Sequence, residues 1–306
     1  MEILSFSIPT FNDSQFLKNN LENLTTQLID QQMTNIIIYV VDNNSTDNTY
    51  AIVSELKKIY TNIVYVKREH NYGMENNIEF AMKMASSQYV WLLGSDDSVT
   101  ICFKDLLNEL KINNPDICTF KLDNRNCTET ILSNSFSVLS NLLYELGWLS
   151  DIIIKRDIVD SLNFKRYEGT YINFLAAIMD YISVNDITVF VKNNNNNIYH
   201  INNGKVSYAD SILEAYFINR VNFIMSLPPI LSIQEKMLIL NQGNFKRKLN
   251  TIILLLSFRE KGVINYNYYR SHKIYFKLCK LRFLGFFISV TPRIVLRVIK
   301  RCLKYV

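Results

Sequence analysis

Ile36-Ile-Ile-Tyr-Val-Val41 is an unbroken apolar run, mostly β-branched, that stops at Asp42. A half-buried strand alternates apolar and polar residues, whereas a continuous run marks a strand covered on both faces. Such strands belong to sheets with helices on each side, so this segment restricts the chain to an α/β class. Its neighbours agree. Ile3 to Pro9 reads as a strand, and Ser14 to Ile29 as a helix with Leu17, Leu21, Leu24 and Leu28 on one stripe. Thr46 to Tyr60 reads as a second helix, with Asn44 or Ser45 available as its cap. Three more strands follow at Ile63 to Lys67, Tyr89 to Leu93 and Asp116 to Lys121, separated by helices over Met74 to Ser86 and Phe103 to Leu110. Alternation of this kind predicts a mostly parallel sheet with right-handed crossovers, of the sort that binds nucleotides.

Beyond Trp148 the pattern changes. Trp148 to Lys155 and Ile187 to Lys192 read as strands and Tyr171 to Tyr181 as a helix, completing a first domain over 1–205. Residues 206–306 form a helical C-terminal extension, read as Ile212 to Met225, Ile233 to Leu256 and Tyr266 to Ser289, with Pro292 breaking the last. At 306 residues and 48% hydrophobic content the chain supports one substantial core and a second lobe. Five scattered cysteines, with no C-x-x-C pair, predict neither a zinc site nor a disulfide framework. The start lacks a basic segment followed by an apolar core, so no signal peptide is expected. No apolar run approaches the ~18 residues of a membrane span, so the expected location is cytoplasmic.

The strand Tyr89-Val-Trp-Leu-Leu runs into Gly94-Ser-Asp-Asp97. A buried strand that ends in two carboxylates sets anionic oxygens at the rim where open α/β sheets bind ligands. Paired carboxylates suit a hard divalent cation, Mn²⁺ or Mg²⁺, although a solvated turn with an aspartate cap is the competing reading. Asp42 also leaves a fully apolar strand, where a carboxylate is costly to desolvate unless it accepts a hydrogen bond. Its acceptor capacity suits a pyrimidine N–H or, alternatively, the backbone N–H groups that follow. Pro9 is expected to end the first ladder and leave the backbone of Thr10, Phe11 and Asn12 free for a ligand. Gly73, after Asn71 and before a helix, allows a positive-φ turn and close approach of backbone to ligand.

Four segments thus recur in order at strand ends: Ser7-Ile-Pro-Thr-Phe-Asn12, Val40-Val-Asp-Asn-Asn-Ser-Thr-Asp47, His70-Asn-Tyr-Gly-Met-Glu-Asn-Asn77 and Leu92-Leu-Gly-Ser-Asp-Asp97. Together they resemble the inverting family-two glycosyltransferases of the A-type nucleotide-sugar fold, bacterial enzymes of O-antigen and capsule assembly that include abequosyltransferase-like proteins. The resemblance covers about residues 3–175. It implies a nucleotide-binding half over 1–121 and an acceptor half over 122–205. It also implies a nucleoside diphosphate sugar donor, most readily a UDP-sugar, and a glycan or lipid-linked acceptor. Donor contacts would come from Pro9, Thr10, Phe11, Asn12, Asp42, Asn44, Asn71, Gly73, Asn77, Ser95 and Asp96, and metal ligation from Asp96 with Asp97. The base for the acceptor hydroxyl would be Glu168 or, second, Asp151. Two positions depart from the family pattern. Gly94 stands where the first acid of Asp-x-Asp-Asp is expected, and Asn76-Asn77 where Arg-Asn is usual, with Lys67 and Arg68 nearby to supply charge.

The net charge of +5 divides unevenly, because Lys261 to Lys304 holds eleven cations and no acid follows Glu260, leaving −6 on the first 260 residues. Residues 273–306 interleave these cations with Phe276, Phe283, Phe286, Phe287 and other apolar groups. That make suits an anionic membrane interface better than nucleic acid, and predicts a peripheral protein at the inner face of a bacterial cytoplasmic membrane. A packed helix with a solvated basic side is the plainer alternative. Two other functions compete with sugar transfer: a catalytically silent nucleotide-binding scaffold subunit, and a nucleotidyltransferase. The latter calls for a glycine-rich, lysine-bearing phosphate loop that the N-terminal region lacks.

Overall fold

The computed structural model describes residues 2–121, 130–132, 136, 138–139, 149–193, 198–200, 214–229, 231–241, 245–292, 295 and 299–300. The chain divides into two compact units, Met1–Lys205 and Val206–Val306.

In the first unit, β1 (Leu4–Thr10), β2 (Ile37–Asp42), β3 (Ile63–Lys67), β4 (Tyr89–Leu92), β6 (Ile117–Lys121), β7 (Thr130–Leu132), β8 (Ile152–Lys155) and β9 (Val189–Asn193) form one sheet. Their spatial order is β3-β2-β1-β4-β8-β6-β9-β7. The first four run parallel, and β8 enters antiparallel between β4 and β6. A two-stranded ribbon pairs β5 (Asp97–Val99) with β10 (Ile198–His200), which sets His200 opposite Asp97.

Four helices cross between the early strands: α1 (Ser14–Asp30), α2 (Thr49–Ile59), α3 (Met74–Met84) and α4 (Phe103–Asn113). Two follow β8, namely α5 (Arg156–Ser161) and α6 (Asn173–Val184). The core lies between α1, α4 and the sheet, where Trp91 stacks between Phe6 at 5.0 Å and Phe120 at 5.2 Å. Each aromatic so buried contributes roughly 1.5–3 kcal/mol. β1 divides its faces by period two: Leu4, Phe6 and Ile8 join this core. Ser7 on the other face donates its hydroxyl to the Ala81 carbonyl of α3, and Ser5 bonds Ser87 just beyond it.

Three expectations need correction. Pro9 does not end β1, because it pairs in register with Val41 and Thr10 pairs with Asp42. Alternate residues of a parallel strand bond opposite neighbours, so the missing Pro9 N–H falls on the β4 side, past the last pair Ser7–Leu92. The second helix starts at Thr49 rather than Thr46, and neither Asn44 nor Ser45 caps it. Asp47 instead accepts from the Thr49 N–H and hydroxyl and from the Ser14 N–H, which ties α2 to the start of α1. Its carboxyl is held below the usual value: burial pushes it up, but the Thr49 and Ser14 bonds outweigh that. The stretch before β8 is a short 3₁₀ turn, Leu149–Asp151, and the strand proper begins at Ile152.

The second unit contains a π-helical turn (Glu214–Asn219) and six helices among the described residues. These are α7 (Arg220–Ser226), α8 (Ile233–Asn241), α9 (Phe245–Glu260), α10 (Tyr266–Ser271), α11 (Lys273–Leu278) and α12 (Arg282–Val290). The expected single helix over Tyr266 to Ser289 is therefore three. His272 separates α10 from α11, and Lys280 takes a left-handed φ of 55° before α12. This folding-back buries Phe217, Tyr269, Phe276 and Ile288 in one cluster. No helix among the described residues is long and apolar enough to cross a membrane. Of the expected basic tail, Arg293, Arg297, Arg301 and Lys304 lie outside the described residues, and Lys300 bonds Glu260 at 2.6 Å.

Candidate active site

The ends of β1, β2 and β4 lie side by side because the three strands are parallel neighbours. Sequence motifs far apart in the chain therefore share one rim. Asp42 is 1% exposed there, with Oδ1 accepting from the Ser45 N–H at 2.8 Å and Oδ2 from the Tyr65 hydroxyl at 2.5 Å. These two donors offset the desolvation of a buried carboxylate, and its remaining lone pairs leave capacity for a further donor. Burial and the bond to Asp42 push the Tyr65 phenol well above its ordinary value, so it stays a donor at any physiological pH.

Around Asp42 two loops are laced together. Asn12 and Asn44 adopt left-handed φ values of 50° and 68°, a region that asparagine tolerates. The Asn12 N–H donates to Ser45 Oγ, and its side-chain oxygen accepts from the Thr46 N–H. Asn43 then holds the glycine loop. Its amide donates to Asn71 Oδ1 at 2.7 Å and to the Gly73 carbonyl at 3.1 Å, and its oxygen accepts from the Tyr72 N–H. Gly73 sits at φ 83° with open space where a Cβ would stand, so backbone strain rather than crowding makes glycine suit this turn. Asn77 is buried and donates to the Val41 carbonyl at 3.2 Å. Its Oδ1, like Thr10 Oγ1, is buried without a hydrogen-bond partner among the described residues.

Asp96 and Asp97 both turn toward Gly94 but differ in exposure. Asp96 stays partly exposed, while Asp97 is 3% exposed and its Oδ2 accepts from the Ser150 hydroxyl. Ser150 in turn accepts from the Gly94 N–H, and its carbonyl takes the Trp91 indole N–H at 2.8 Å. Asn20 of α1 braces the same turn by donating to the carbonyls of Gly94 and Asp97. Ser95 donates to Asp13 Oδ2 at 2.7 Å. The Gly94 departure follows from this packing: a Cβ there would lie 2.7 Å from Asp97 Oδ2 and 3.2 Å from Asp96 Oδ1. A side chain at this position would require the Asp97 carboxylate to shift.

A cleft of about 380 Å³ opens beside this rim region, lined by Gly73, Glu75, Asn76 and Glu79 on one side and by Phe164, Lys165, Glu168, Tyr171 and Asn173 on the other. Glu168 is exposed on its wall. Asp151, the second candidate base, is 1% exposed in the 3₁₀ turn before β8 and is not a lining residue. Tyr171 adopts φ 62°, an uncommon conformation for a bulky side chain, while 40% exposed on the cleft. Glu75 joins the walls, accepting from the Gly169 N–H at 2.7 Å and the Asn173 N–H at 3.4 Å. Arg68 donates to Asn76 Oδ1 at 2.8 Å and lies 4.2 Å over the Tyr72 ring and 4.6 Å over Phe80. A guanidinium from the end of β3 thus stands against the residue that replaces the usual arginine.

Residues 5–162, just over half the chain, match the profile of Glycosyl transferase family 2. The chain belongs to that family. It is 31% identical over 98 residues to abequosyltransferase RfbV of Salmonella typhimurium, covering 32% of this chain and 29% of that one. It is 29% identical over 97 residues to an Escherichia coli UDP-Glc:α-D-GlcNAc-diphosphoundecaprenol β-1,3-glucosyltransferase, WfaP, covering 32% and 36%. The matches therefore span about a third of these relatives' lengths. Among solved structures, TarS 1–349 of S. aureus in complex with UDP aligns at TM-score 0.53 and 18% identity, over 100% of this chain and 92% of that one. The mannosyltransferase PcManGT of Pyrobaculum calidifontis, in complex with GDP-Man and Mn²⁺, aligns at 0.51 and 14%, over 95% and 86%. This family-two glycosyltransferase thus has the A-type fold, a mixed and mostly parallel sheet flanked by helices, followed by C-terminal helices.

Asn43 and Glu75 lie within the motif segments but their bracing roles go unread there, while Asp13, Asn20, Tyr65 and Ser150 escape a reading of the sequence altogether. Of these four only Asn20 carries a signal, a polar residue on the apolar stripe of α1.

Proposed function

We propose that this enzyme moves a sugar, with inversion, from a nucleoside diphosphate donor to a hydroxyl of a glycan acceptor carried on a lipid. The observation that carries the reading is one rim joining Asp42, the Asn71–Gly73 loop and Asp96, with a cleft wide enough for a sugar beside it. Asp42, held by Tyr65 and Ser45, would accept the N–H of a uracil-type base. Arg68 would supply the cation for the diphosphate that α3 no longer supplies, as a fixed charge-assisted donor. Asn12 and Asn44 in the loops, and Asn77 in the first turn of α3, would present polar groups to the donor.

The donor set at the turn is oxygen only: the Asp96 carboxylate, with Ser95 and Asp13 bonded beside it. That fits Mg²⁺ or Mn²⁺, which take one or two protein carboxylates and complete their shell with water and phosphate oxygens. Asp96 would hold the ion, with Asp97 bracing the turn through Ser150. When bound, such an ion neutralises charge on the departing diphosphate. Glu168 takes the proton from the acceptor hydroxyl in this reading, which its exposed place on the cleft wall supports. Tyr171, on the cleft wall and 40% exposed, would offer an aromatic face to an acceptor ring. The relatives named for diphosphoundecaprenol substrates support a lipid-linked acceptor, and hence work at a membrane surface.

The test is a panel of nucleotide sugars with Mn²⁺ or Mg²⁺, followed by mass spectrometry, on wild type and Asp96→Ala. Metal-dependent donor turnover that the substitution abolishes is the expected result. Nucleotide binding without turnover by any donor or acceptor would instead make the chain a silent scaffold.

A further inference from the structure

α12 is fixed in rotation by Gly285, whose missing Cβ would stand 2.2 Å from the ring of the buried Phe276. Gly285, Ile288 and Ser289 are its buried residues. The opposite stripe, Phe283, Phe286, Phe287 and Val290, follows helical spacing and points outward, at 87%, 47%, 47% and 48% exposure. Phe286 keeps edge contacts with the Tyr266 and Tyr269 rings, yet each of the four side chains remains about half exposed or more. Contiguous exposed apolar groups of this kind mark an interface.

Beside the stripe lies a recess of about 480 Å³ lined by Arg270, Lys273, Lys277 and Arg282, together with Ser271 and Ile274. Four cations converge there with no acid in the lining, and none makes an ion pair among the described residues. Like charges gathered without a counter-ion repel one another, so an external anion relieves the arrangement. The chemistry of that anion is constrained by the neighbouring helix, because it must come attached to something apolar. A second copy of the chain would bring its own cations against these. A polyphosphate backbone has no use for four adjacent apolar side chains.

We infer that the recess binds the phosphoryl headgroup of an anionic phospholipid while the Phe283–Val290 stripe dips into the acyl boundary, docking the second unit on a membrane surface. This deepens the membrane-surface reading above and rests on it for its purpose. Vesicle binding needs neither donor nor acceptor, so failure here and failure of sugar transfer are distinguishable.

The experiment is flotation of the full chain with phosphatidylglycerol-containing vesicles and with pure phosphatidylcholine vesicles, at low and high salt. Wild type is expected to float only with the anionic vesicles, and less at high salt. The double variant Lys273→Glu/Lys277→Glu should lose roughly a hundredfold in partitioning. Phe283→Ser/Phe287→Ser should lose at least about tenfold. All four side chains are exposed, so melting curves of both variants should overlay wild type. Equal flotation with both lipids, no flotation, or indifference to the charge reversals overturns the inference. So does vesicle binding that survives the serine variant, which would leave the stripe out of the contact, or vesicle binding abolished by millimolar inorganic phosphate at constant ionic strength, which would make the recess a site for soluble phosphate. Capture by an oligonucleotide in place of vesicles, lost on charge reversal, would reassign the surface to nucleic acid.

Discussion

Asp42 and Asp97 in the first unit are 1% and 3% exposed, and each is held by a hydroxyl from another segment, Tyr65 or Ser150. In the second unit Phe283 is 87% exposed, and the cations beside it make no ion pair among the described residues. The contrast separates two ways of preparing a surface. Burying a carboxylate is costly, so such acids persist only where the fold supplies donors, and their positions are then set before any ligand arrives. Exposed aromatics and unpaired cations need no internal support and gain nothing until a partner covers them. The first arrangement is suited to chemistry and the second to adhesion.

The comparison predicts unequal sensitivities. On the proposed reading, in which Asp96 would hold a metal ion that offsets charge on the leaving diphosphate, Asp96→Ala should cost at least about 100-fold in donor turnover while thermal stability barely moves. A variant of near wild-type turnover would break the assignment of chemistry to that rim. Asp42→Ala should lower stability by about 1–3 kcal/mol in urea titration, since it strands the buried donors of Tyr65 and Ser45. It should weaken UDP binding by calorimetry as well.

Two glycine substitutions then sharpen the boundary between units. Gly94→Ala must displace Asp97, and Gly285→Ala must displace Phe276, each at about 1–3 kcal/mol. Calorimetric unfolding should show the first acting on donor binding and the second leaving it intact. A loss of donor binding in Gly285→Ala would mean that the units are energetically coupled.

Thiol chemistry offers a milder test. Burial pushes the Cys279 thiol up to about 11, so at pH 8 only roughly a thousandth is thiolate. Exposed Cys102 should be alkylated well ahead of it, and Cys279 should become reactive only as pH rises toward 11. Any stability contributed by its protonated form fades over the same rise. The smallest effect expected is on folding itself in Phe283→Ser, within about 0.5 kcal/mol, because an exposed side chain supports nothing inside.

The first four strands and their helices were legible because continuous apolar runs alternate with helical stripes along 1–121 in a pattern few folds satisfy. Asp42 stood out as an acid closing such a run. Its partner Tyr65 did not, since nothing on β3 announces which strand lies beside it. Pro9 misled because its effect depends on which neighbour its missing N–H faces, a property of sheet order rather than of local sequence. The unequal exposure of Asp96 and Asp97 was not legible, because it depends on which of them meets a distant hydroxyl at the turn. Ser150, which captures Asp97, lies 53 positions away from it in the chain. In the second unit the breaks at His272 and Lys280 carry neither glycine nor proline, so helical spacing alone ran through them.

Glu75 has a last consequence for traffic through the enzyme. By gripping Gly169 and Asn173 at once, it makes α3 and the loop before α6 a single jaw. On the proposed reading, an acceptor's hydroxyl end would enter a cleft whose width is set before it arrives, by walls already braced against each other.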